Sequence, residues 1–191
     1  MTFGGSRRRS SKRARSADWS DDGPDGPPQP EADPESVARA IVLRRLTMAP
    51  RTRAQLADEL RSRDVPDDVA TRVLDRFTDV GLVDDEAFAA AWVSSRHTSR
   101  GLARRALTHE LRHRGVDDET VAGAVDTITP EDEWAAARDL VARRLPSSRG
   151  LPVETRMRRL AGMLARKGYG GGMAMAVVRD ALAAEVHPEN E

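Results

Sequence analysis

Two histidines one helical turn apart are the first residues of this sequence that could carry out chemistry. They lie in the segment His109-Glu110-Leu111-Arg112-His113. Helical zinc hydrolases hold their metal with two histidines at this spacing, and the glutamate after the first one acts as the general base. The segment therefore makes a zinc hydrolase one hypothesis for this chain.

The leucines around this segment argue against a zinc site. A leucine pair with the same spacing occurs three times, as Leu56/Leu60, Leu107/Leu111 and Leu160/Leu164. In the other two copies, the positions of His109 and His113 are held by Asp58 and Ser62, and by Gly162 and Arg166. The remaining histidines, His97 and His187, stand in no third-ligand pattern. We therefore predict that the two histidines face solvent and that the chain holds no metal and no cofactor.

Other residue types also fail to form a catalytic pattern. The sequence has no cysteine, which removes thiolate ligands, cysteine nucleophiles and disulfides. The run Gly170-Gly171-Gly172 lacks the lysine and hydroxyl residue of a phosphate-binding loop and predicts a turn between helices. Three acidic pairs stand where helical segments begin, and there they predict helix caps: Asp67-Asp68, Asp84-Asp85 and Asp117-Asp118. We predict that the protein is not an enzyme and has no catalytic residues.

Composition sets the scale of the fold and limits its environment. The 191 residues are 39% hydrophobic, 4% aromatic and 32% charged, which favours thin helical layers over one deep core. Basic and acidic residues balance at 31 each, so the net charge indicates no partner. No apolar run approaches the length of a membrane span. We expect a cytoplasmic protein, and the lack of a long apolar stripe favours a monomer.

Helical periodicity begins at Glu35 and continues in about nine amphipathic segments separated by proline and glycine. The segments repeat about every fifty residues around the leucine pair. We predict an all-α fold of three tandem three-helix, helix-turn-helix-like repeats that form an elongated curved array. The predicted regions are a disordered charged tail at 1–34 and repeats at 35–82, 83–129 and 130–191, the last with a short C-terminal tail.

Arginines are concentrated in the second and third repeats. The residues predicted to contact a partner are Arg96, Arg100, Arg104, Arg105, Arg112, Arg114, Arg143, Arg144, Arg156, Arg158, Arg159, Arg166 and Lys167. Such a stripe could bind nucleic-acid phosphates or an acidic groove on a protein filament. It could also be a set of solvated faces with internal ion pairs. Trp92 and Trp134 lie among alanines at helical spacing, which indicates core positions rather than platforms for stacking bases.

The segment from Gly81 to Arg96 reads as a helix junction followed by an amphipathic helix. Gly81 suits the left-handed position after a helix end, and Asp84 is a good N-cap. Phe88, Trp92 and Arg96 recur every fourth residue, so one apolar face ends in a guanidinium. That guanidinium is a candidate either for partner contact or for an internal pair with a carboxylate such as Asp84.

This segment, Gly-Leu-Val-Asp-Asp-Glu-Ala-Phe-Ala-Ala-Ala-Trp-Val-Ser-Ser-Arg, resembles the central signature of the RecX family without a gap. The flanking repeats extend the resemblance to roughly residues 35–186. RecX proteins are small regulators of the RecA recombinase. The resemblance implies a helical-repeat fold and a non-enzymatic regulator that binds the RecA filament on single-stranded DNA. Such a regulator inhibits the ATPase, strand exchange and growth of the filament, and so acts in recombination, DNA repair and the SOS response.

A stand-alone helical DNA-binding module is the alternative hypothesis, because short helical units with basic second helices can mimic helix-turn-helix readers. Within the RecX hypothesis, the sequence leaves open whether the protein coats the filament groove or caps filament ends. It also leaves open whether DNA is touched directly or only through the filament, whether the basic N-terminal tail binds DNA, and which arginines make the contact.

Overall fold

The computed structural model describes residues 33–186. The tail predicted at 1–34 therefore lies outside the described residues except for Asp33 and Pro34, and so does the end of the chain after residue 186. Asp33 and Pro34 start the first helix. Asp33 accepts hydrogen bonds from the backbone N–H groups of Glu35 and Ser36 at 3.3 and 3.2 Å, and Pro34 is the first helical residue.

Nine α-helices and no strands make up the described part of the chain. They are α1 (Pro34–Met48), α2 (Arg53–Arg61), α3 (Asp67–Asp79), α4 (Asp85–Arg100), α5 (Arg104–His113), α6 (Asp118–Asp126), α7 (Pro130–Arg144), α8 (Val153–Arg166) and α9 (Gly171–Val186). A short 3₁₀ turn, Pro146–Ser148, joins α7 to α8. The helices pack in threes along the chain. The prediction of an all-α protein built from three three-helix repeats is confirmed.

Each repeat buries its own apolar cluster. The first cluster runs from Ala38 to Val83 and the second from Phe88 to Ile128. The third runs from Ala137 to Leu182 and also includes Ala103 of the second repeat. All six leucines of the repeated pairs are at most 4% exposed. The leucine pair is therefore the anchor of every second helix, as its recurrence predicts.

The acidic pairs begin helices in two different ways. Asp84 and Asp117 are N-caps, and each accepts a hydrogen bond from the backbone N–H three residues later, at 2.8 and 2.9 Å. The pair Asp67-Asp68 instead lies inside the first turn of α3, which has no side-chain cap. Its charges can still interact favourably with the positive end of the helix dipole.

The second helix of every repeat ends in the same motif. A residue in the left-handed conformation follows each of these helices. In the first, second and third repeats it is Asp64, Gly115 and Gly168, with φ of 58°, 77° and 93° respectively. The next residue, Val65, Val116 or Tyr169, is buried. Its backbone N–H donates to the carbonyl of the second leucine of the pair at 3.2 Å in all three repeats. This is a Schellman motif with its hydrophobic contact.

Neighbouring repeats join where these second helices meet. The Thr52 hydroxyl, at the start of α2, donates to the carbonyl of Arg114 at the end of α5, at 2.6 Å. At the equivalent place in the next repeat, the backbone N–H of Ala103 donates to the carbonyl of Lys167 at 2.9 Å. Thr52 and Ala103 are both fully buried. We call these two places the first and second joints.

Acidic residues of the following repeat complete both joints. The backbone N–H of Arg53 donates to Asp85 at 2.8 Å, and that of Arg104 donates to Glu133 at 2.8 Å. In each case the first N–H of a second helix, which has no partner within its own helix, is capped by the first helix of the next repeat. Every hydrogen bond of the joints therefore satisfies at least one backbone group, so the joints do not depend on side-chain packing alone.

The left-handed glycines let the helices approach closely at both joints. A Cβ atom on Gly115 would lie 2.3 Å from the Cβ of Ala54, and one on Gly168 would lie 2.7 Å from the backbone nitrogen of Ala106. Both distances are far below van der Waals contact. Glycine is therefore required at these positions for two reasons, its positive φ and the space that a side chain would take.

The second joint also contains the single tyrosine of the chain. The Tyr169 hydroxyl donates to the carbonyl of Gly101 at 3.1 Å in a buried position. Burial, with a smaller contribution from the negative charge of Glu133, raises the pKa of Tyr169 to about 12. The phenol is therefore held in its neutral, hydrogen-bonding form.

We predict that Gly115→Ala destabilises the protein more than Gly81→Ala does. Gly81 has a similar φ of 71°, but a Cβ there would meet nothing within 4 Å. The control should lose about 1 kcal/mol of unfolding free energy from backbone strain. Gly115→Ala should lose a further ~1–3 kcal/mol from overlap with Ala54. Urea denaturation measures both, and equal losses would show that the first joint is not tightly packed. Ala54→Gly should recover part of the loss in the double variant.

We also predict that the second joint weakens in alkali. The folded pKa of Tyr169 lies above the value of about 10 for an unfolded tyrosine, so the unfolded state loses its proton first. The stabilisation is complete below pH 10 and is lost as the pH rises towards 12, by about 2 kcal/mol. Near-ultraviolet absorbance of tyrosinate reports the pKa directly. Tyr169→Phe should remove this part of the pH dependence, and a tyrosinate signal that develops near pH 10 would contradict the prediction.

Candidate functional site

The predicted contact arginines divide into two groups in the structure. Members of the first group make internal ion pairs. Arg104 pairs with Asp126, and Arg112 with Asp118 at 2.7 Å. Arg156 pairs with Glu185 and is only 12% exposed. The pKa of Glu185 lies below its usual range, chiefly because of the hydrogen bond from Arg156. These guanidiniums already have carboxylate partners within the chain.

Arg96 and Arg114 gather around Trp92. Their guanidinium carbons lie 4.1 and 3.7 Å from the centre of the indole ring, within cation–π range. The indole N–H donates to Glu110 at 2.8 Å, and Arg96 lies 4.0 Å from the same carboxylate. The nearest carboxylate to Arg96 is thus Glu110, and not Asp84 as one alternative had it. Trp92 packs against the second apolar cluster, and Trp134 packs in the same way against the third.

The second group consists of cations with no carboxylate partner. Within residues 33–186, none of its members lies within 4.0 Å of an acidic oxygen. We call these residues the basic cluster: Arg100, Arg143, Arg144, Arg158, Arg159, Arg166 and Lys167. Arg105 and Arg114 are likewise unpaired. Arg105 lines a neighbouring concavity together with Arg166, and Arg114 lies over Trp92.

Two concavities bring the basic cluster together. The larger one, of about 810 Å³, is lined by five of its members, Arg100, Arg143, Arg144, Arg166 and Lys167. The smaller one, of about 530 Å³, is lined by Arg144, Arg158, Arg159 and Arg166. Arg144 and Arg166 belong to both, so the two concavities adjoin. Neither is lined by an acidic residue.

Helix ends explain why these cations meet. Arg100 is the last residue of α4, Arg143 and Arg144 end α7, and Arg166 ends α8. The ammonium of Lys167 donates to the carbonyl of Arg100 and ties two of these ends together. Helix C-termini carry partial negative charge, so a basic residue is stabilised there. The second joint thus collects the C-terminal ends of helices from two repeats and their basic residues with them.

The neighbouring positive charges alter the pKa of Lys167. Burial lowers the pKa of its ammonium, and the positive charges of Arg143, Arg100 and Arg144 lower it further. A bound anion would raise the pKa of Lys167 again, because its negative charge would stabilise the ammonium and offset the repulsion between the guanidiniums. The arrangement is therefore suited to binding phosphates or carboxylates from outside the chain.

The histidines of the zinc-like pattern take no part in this arrangement. His109 and His113 are both exposed on α5, as predicted from the repeat register. No group of three or more residues that could hold a metal ion occurs among the described residues. None of the described helices is long and apolar enough to cross a bilayer.

Sequence reasoning did not separate paired from unpaired arginines, although one signal was present. Arg53 pairs with Asp75, and Arg104 pairs with Asp126; both pairs are 22 residues apart. They occupy equivalent positions in the first two repeats. This recurring separation of 22 residues, between an arginine on the second helix and an aspartate on the third, could have predicted that Arg104 is paired.

The fold and the basic cluster define a helical-repeat protein with a positively charged surface between its second and third repeats. Comparison with known proteins then identifies the family. Residues 38–77, 84–125 and 131–178 match the first, second and third three-helix domains of RecX. The chain belongs to the RecX family, a family of regulatory proteins.

Relatives from several bacteria support this assignment over nearly the whole chain. The regulatory protein RecX of Thermobifida fusca is 61% identical over 167 residues, which are 86% of this chain and 90% of that protein. The RecX of Streptomyces lividans is 58% identical over 157 residues, which are 82% of this chain and 84% of that protein. The RecX of Mycolicibacterium smegmatis is 46% identical over 182 residues, 92% and 96%.

Solved structures of RecX proteins share the fold. The crystal structure of RecX from Lactobacillus salivarius superposes with a TM-score of 0.72 at 19% identity, and covers 80% of this chain and 99% of that one. A second crystal structure of a regulatory protein RecX gives a TM-score of 0.68 at 23% identity, over 78% and 73% of the two chains.

The two groups of arginines should respond differently to the same substitution. Arg156→Gln should lower the melting temperature by several degrees, because it leaves the partly buried Glu185 with less compensation. Arg166→Gln should leave the melting temperature nearly unchanged, because the cation it removes has no carboxylate partner and lies among other cations. Thermal unfolding followed by circular dichroism measures both. A large loss in Arg166→Gln would mean that the basic cluster stabilises the fold.

Proposed function

We propose that this chain binds the filament that RecA recombinase forms on single-stranded DNA and inhibits its ATPase, strand exchange and growth. Membership of the RecX family supports the proposal. The observation that carries it in this structure is the basic cluster, seven cations that no carboxylate of residues 33–186 neutralises. A nucleoprotein filament offers phosphates and acidic side chains that could neutralise them.

The proposed mechanism is selective stabilisation of one filament arrangement. The two joints hold successive repeats through backbone hydrogen bonds, so a partner meets several repeats in a fixed relation. A binder of this kind favours only those arrangements of neighbouring recombinase protomers in which it fits, and restrains the others. On this proposal, ATP turnover and strand exchange fall because the protomers are held in that one arrangement. On this proposal the protein itself catalyses no reaction and needs no cofactor.

The same proposal includes where the protein acts, in which oligomeric state and in which processes. The protein acts in the cytoplasm, as a monomer, during recombination, DNA repair and the SOS response. Groove coating and end capping differ in stoichiometry. A coating protein inhibits in proportion to filament length, whereas a capping protein inhibits filament growth at a small ratio to recombinase.

The decisive variant is Arg143→Glu/Arg166→Glu. It reverses charge in the larger concavity, and the concentration that half-inhibits the recombinase ATPase should rise by about tenfold or more. Arg44→Glu/Arg76→Glu is the matched control, because these two exposed arginines of the first repeat are also unpaired among the described residues and the change in net charge is the same. The assay uses the recombinase on poly(dT) with saturating ATP.

Three outcomes of this assay are informative. A wild-type protein that neither inhibits ATP turnover nor co-sediments with the filament would remove the proposed function. Equal inhibition by the double variant and the wild type would move the contact away from the basic cluster. Equal loss in the control variant would show that net charge alone determines binding.

A stand-alone DNA-binding module is the second candidate, and the same unpaired cations favour it. Each phosphate contact adds to the salt dependence of binding. A pure DNA binder would bind poly(dT) without recombinase and lose affinity steeply with salt. A filament regulator would bind the filament much more tightly than the bare DNA under the same salt conditions.

A further inference from the structure

The signature segment lines a second surface that the basic cluster does not include. A concavity of about 560 Å³ lies where the end of α1, the turn before α4 and one face of α4 meet. Its apolar lining comes mainly from Leu46, Leu82, Ala87, Ala91 and Trp92. The charged residues that line it are two cations, Arg51 and Arg96, and one carboxylate, Asp84. We call this concavity the signature groove.

The signature helix divides its residues between the core and this groove. Phe88, Ala89 and Val93 are buried in the second apolar cluster. Ala87 and Ala91 are exposed and present a shallow apolar strip to the groove. Leu82, in the turn before α4, is 54% exposed and lines the groove beside them. A groove of this composition fits an apolar side chain of a partner.

One end of the signature groove carries excess positive charge. The guanidiniums of Arg96 and Arg114 lie over Trp92, with Glu110 as the nearby carboxylate. The Nε atom of Arg51 is buried and has no hydrogen-bond partner among the described residues. Burial lowers the pKa of Arg114; the charge of Glu110 acts to raise it, and the charges of Arg96 and Arg51 act to lower it, so that its pKa lies below the usual value. An additional carboxylate at this end would relieve the repulsion and give Arg51 a partner.

The surroundings of Trp92 favour a polypeptide over a nucleic acid as the occupant. A base would need a free aromatic face on which to stack. Trp92 is already stacked with Phe88, at a ring separation of 5.7 Å and an interplanar angle of 16°. Two guanidiniums lie over the same indole. Apolar lining beside a cationic end matches a polypeptide that carries both an apolar side chain and a carboxylate.

We propose that the signature groove binds a segment of the recombinase in which a large apolar side chain lies next to a carboxylate. The apolar side chain packs against Leu82, Ala87 and Ala91, and the carboxylate meets Arg51 and Arg96. This inference rests on the proposed function, because it assigns the groove to the same partner. It adds a contact that depends on shape and apolar area, whereas the basic cluster depends on charge.

The test fills the groove without changing the net charge. Ala87→Gln/Ala91→Gln places two polar side chains on the apolar strip at exposed helical positions that tolerate glutamine. Ala122→Gln/Ala184→Gln makes the same changes at exposed positions of α6 and α9 and is the matched control. Binding of each full-length variant to recombinase filaments on poly(dT) is measured by co-sedimentation, and circular dichroism confirms the fold.

The groove variant should bind the filament about tenfold or more weakly, the loss expected when a large apolar side chain is kept out of its site. The slope of affinity against salt should stay unchanged, because no phosphate contact is removed. The control should bind like the wild type. Arg51→Met, which keeps an unbranched apolar stem and removes the guanidinium and its charge, should also weaken binding.

Four outcomes would overturn the proposal. Equal binding by the groove variant and its control would show that the groove is not a contact, while the proposed function stands. Binding of poly(dT) alone that the groove variant loses would assign the groove to nucleic acid. Self-association of the wild type that the groove variant loses, seen in sedimentation, would assign it to a second copy. Absence of any filament binding by the wild type would remove both proposals together.

Discussion

The meeting of successive second helices is the constraint on which the rest of this structure depends. At each joint a buried residue at the start of one helix donates a hydrogen bond to the last carbonyl group of the next, from Thr52 to Arg114 and from Ala103 to Lys167. Buried backbone groups must find partners, so these bonds are obligatory once the repeats pack. The contact leaves no room for a side chain at Gly115 or Gly168. Small three-helix units, each with a modest core, are in this way held in a fixed relation.

This constraint also concentrates charge. Because the second joint brings the ends of α4, α7 and α8 together, it brings together the basic residues that helix ends favour. Like charges gathered in this way repel one another, and the pKa of Lys167 is lowered by burial first and by the charges of Arg143, Arg100 and Arg144 second. Several other arginines are paired: Arg104, Arg112 and Arg156 each have a carboxylate. The seven cations of the basic cluster, gathered without a carboxylate in a chain with no net charge, are the observation on which the proposed partner rests.

Sequence patterns predicted the repeating parts of this fold and not the parts that arise between repeats. The leucine pairs, the cap at Asp84 and the left-handed Gly81 depend on local physics, and all are found as predicted. The exposure of His109 followed from comparing equivalent positions. The partners of Arg96 and Arg156 could not be predicted in this way, because Glu110 and Glu185 are brought near by tertiary packing. The joints could not be predicted for the same reason: tertiary packing brings together their backbone groups and the side chains of Thr52, Asp85 and Glu133.

Arg114 and Lys167 show how the joints and the surfaces depend on each other. They occupy the same position in successive repeats, immediately before the left-handed glycine. Each accepts the joint hydrogen bond with its carbonyl, and each has a side-chain pKa lowered by burial and by neighbouring cations. Arg114 stands beside the signature groove, and Lys167 stands in the basic cluster. The backbone of one residue therefore fixes the relation of two repeats while its side chain contributes to the surface formed between them. Two contacts held in such a fixed relation reinforce each other, because binding at one raises the effective concentration at the other.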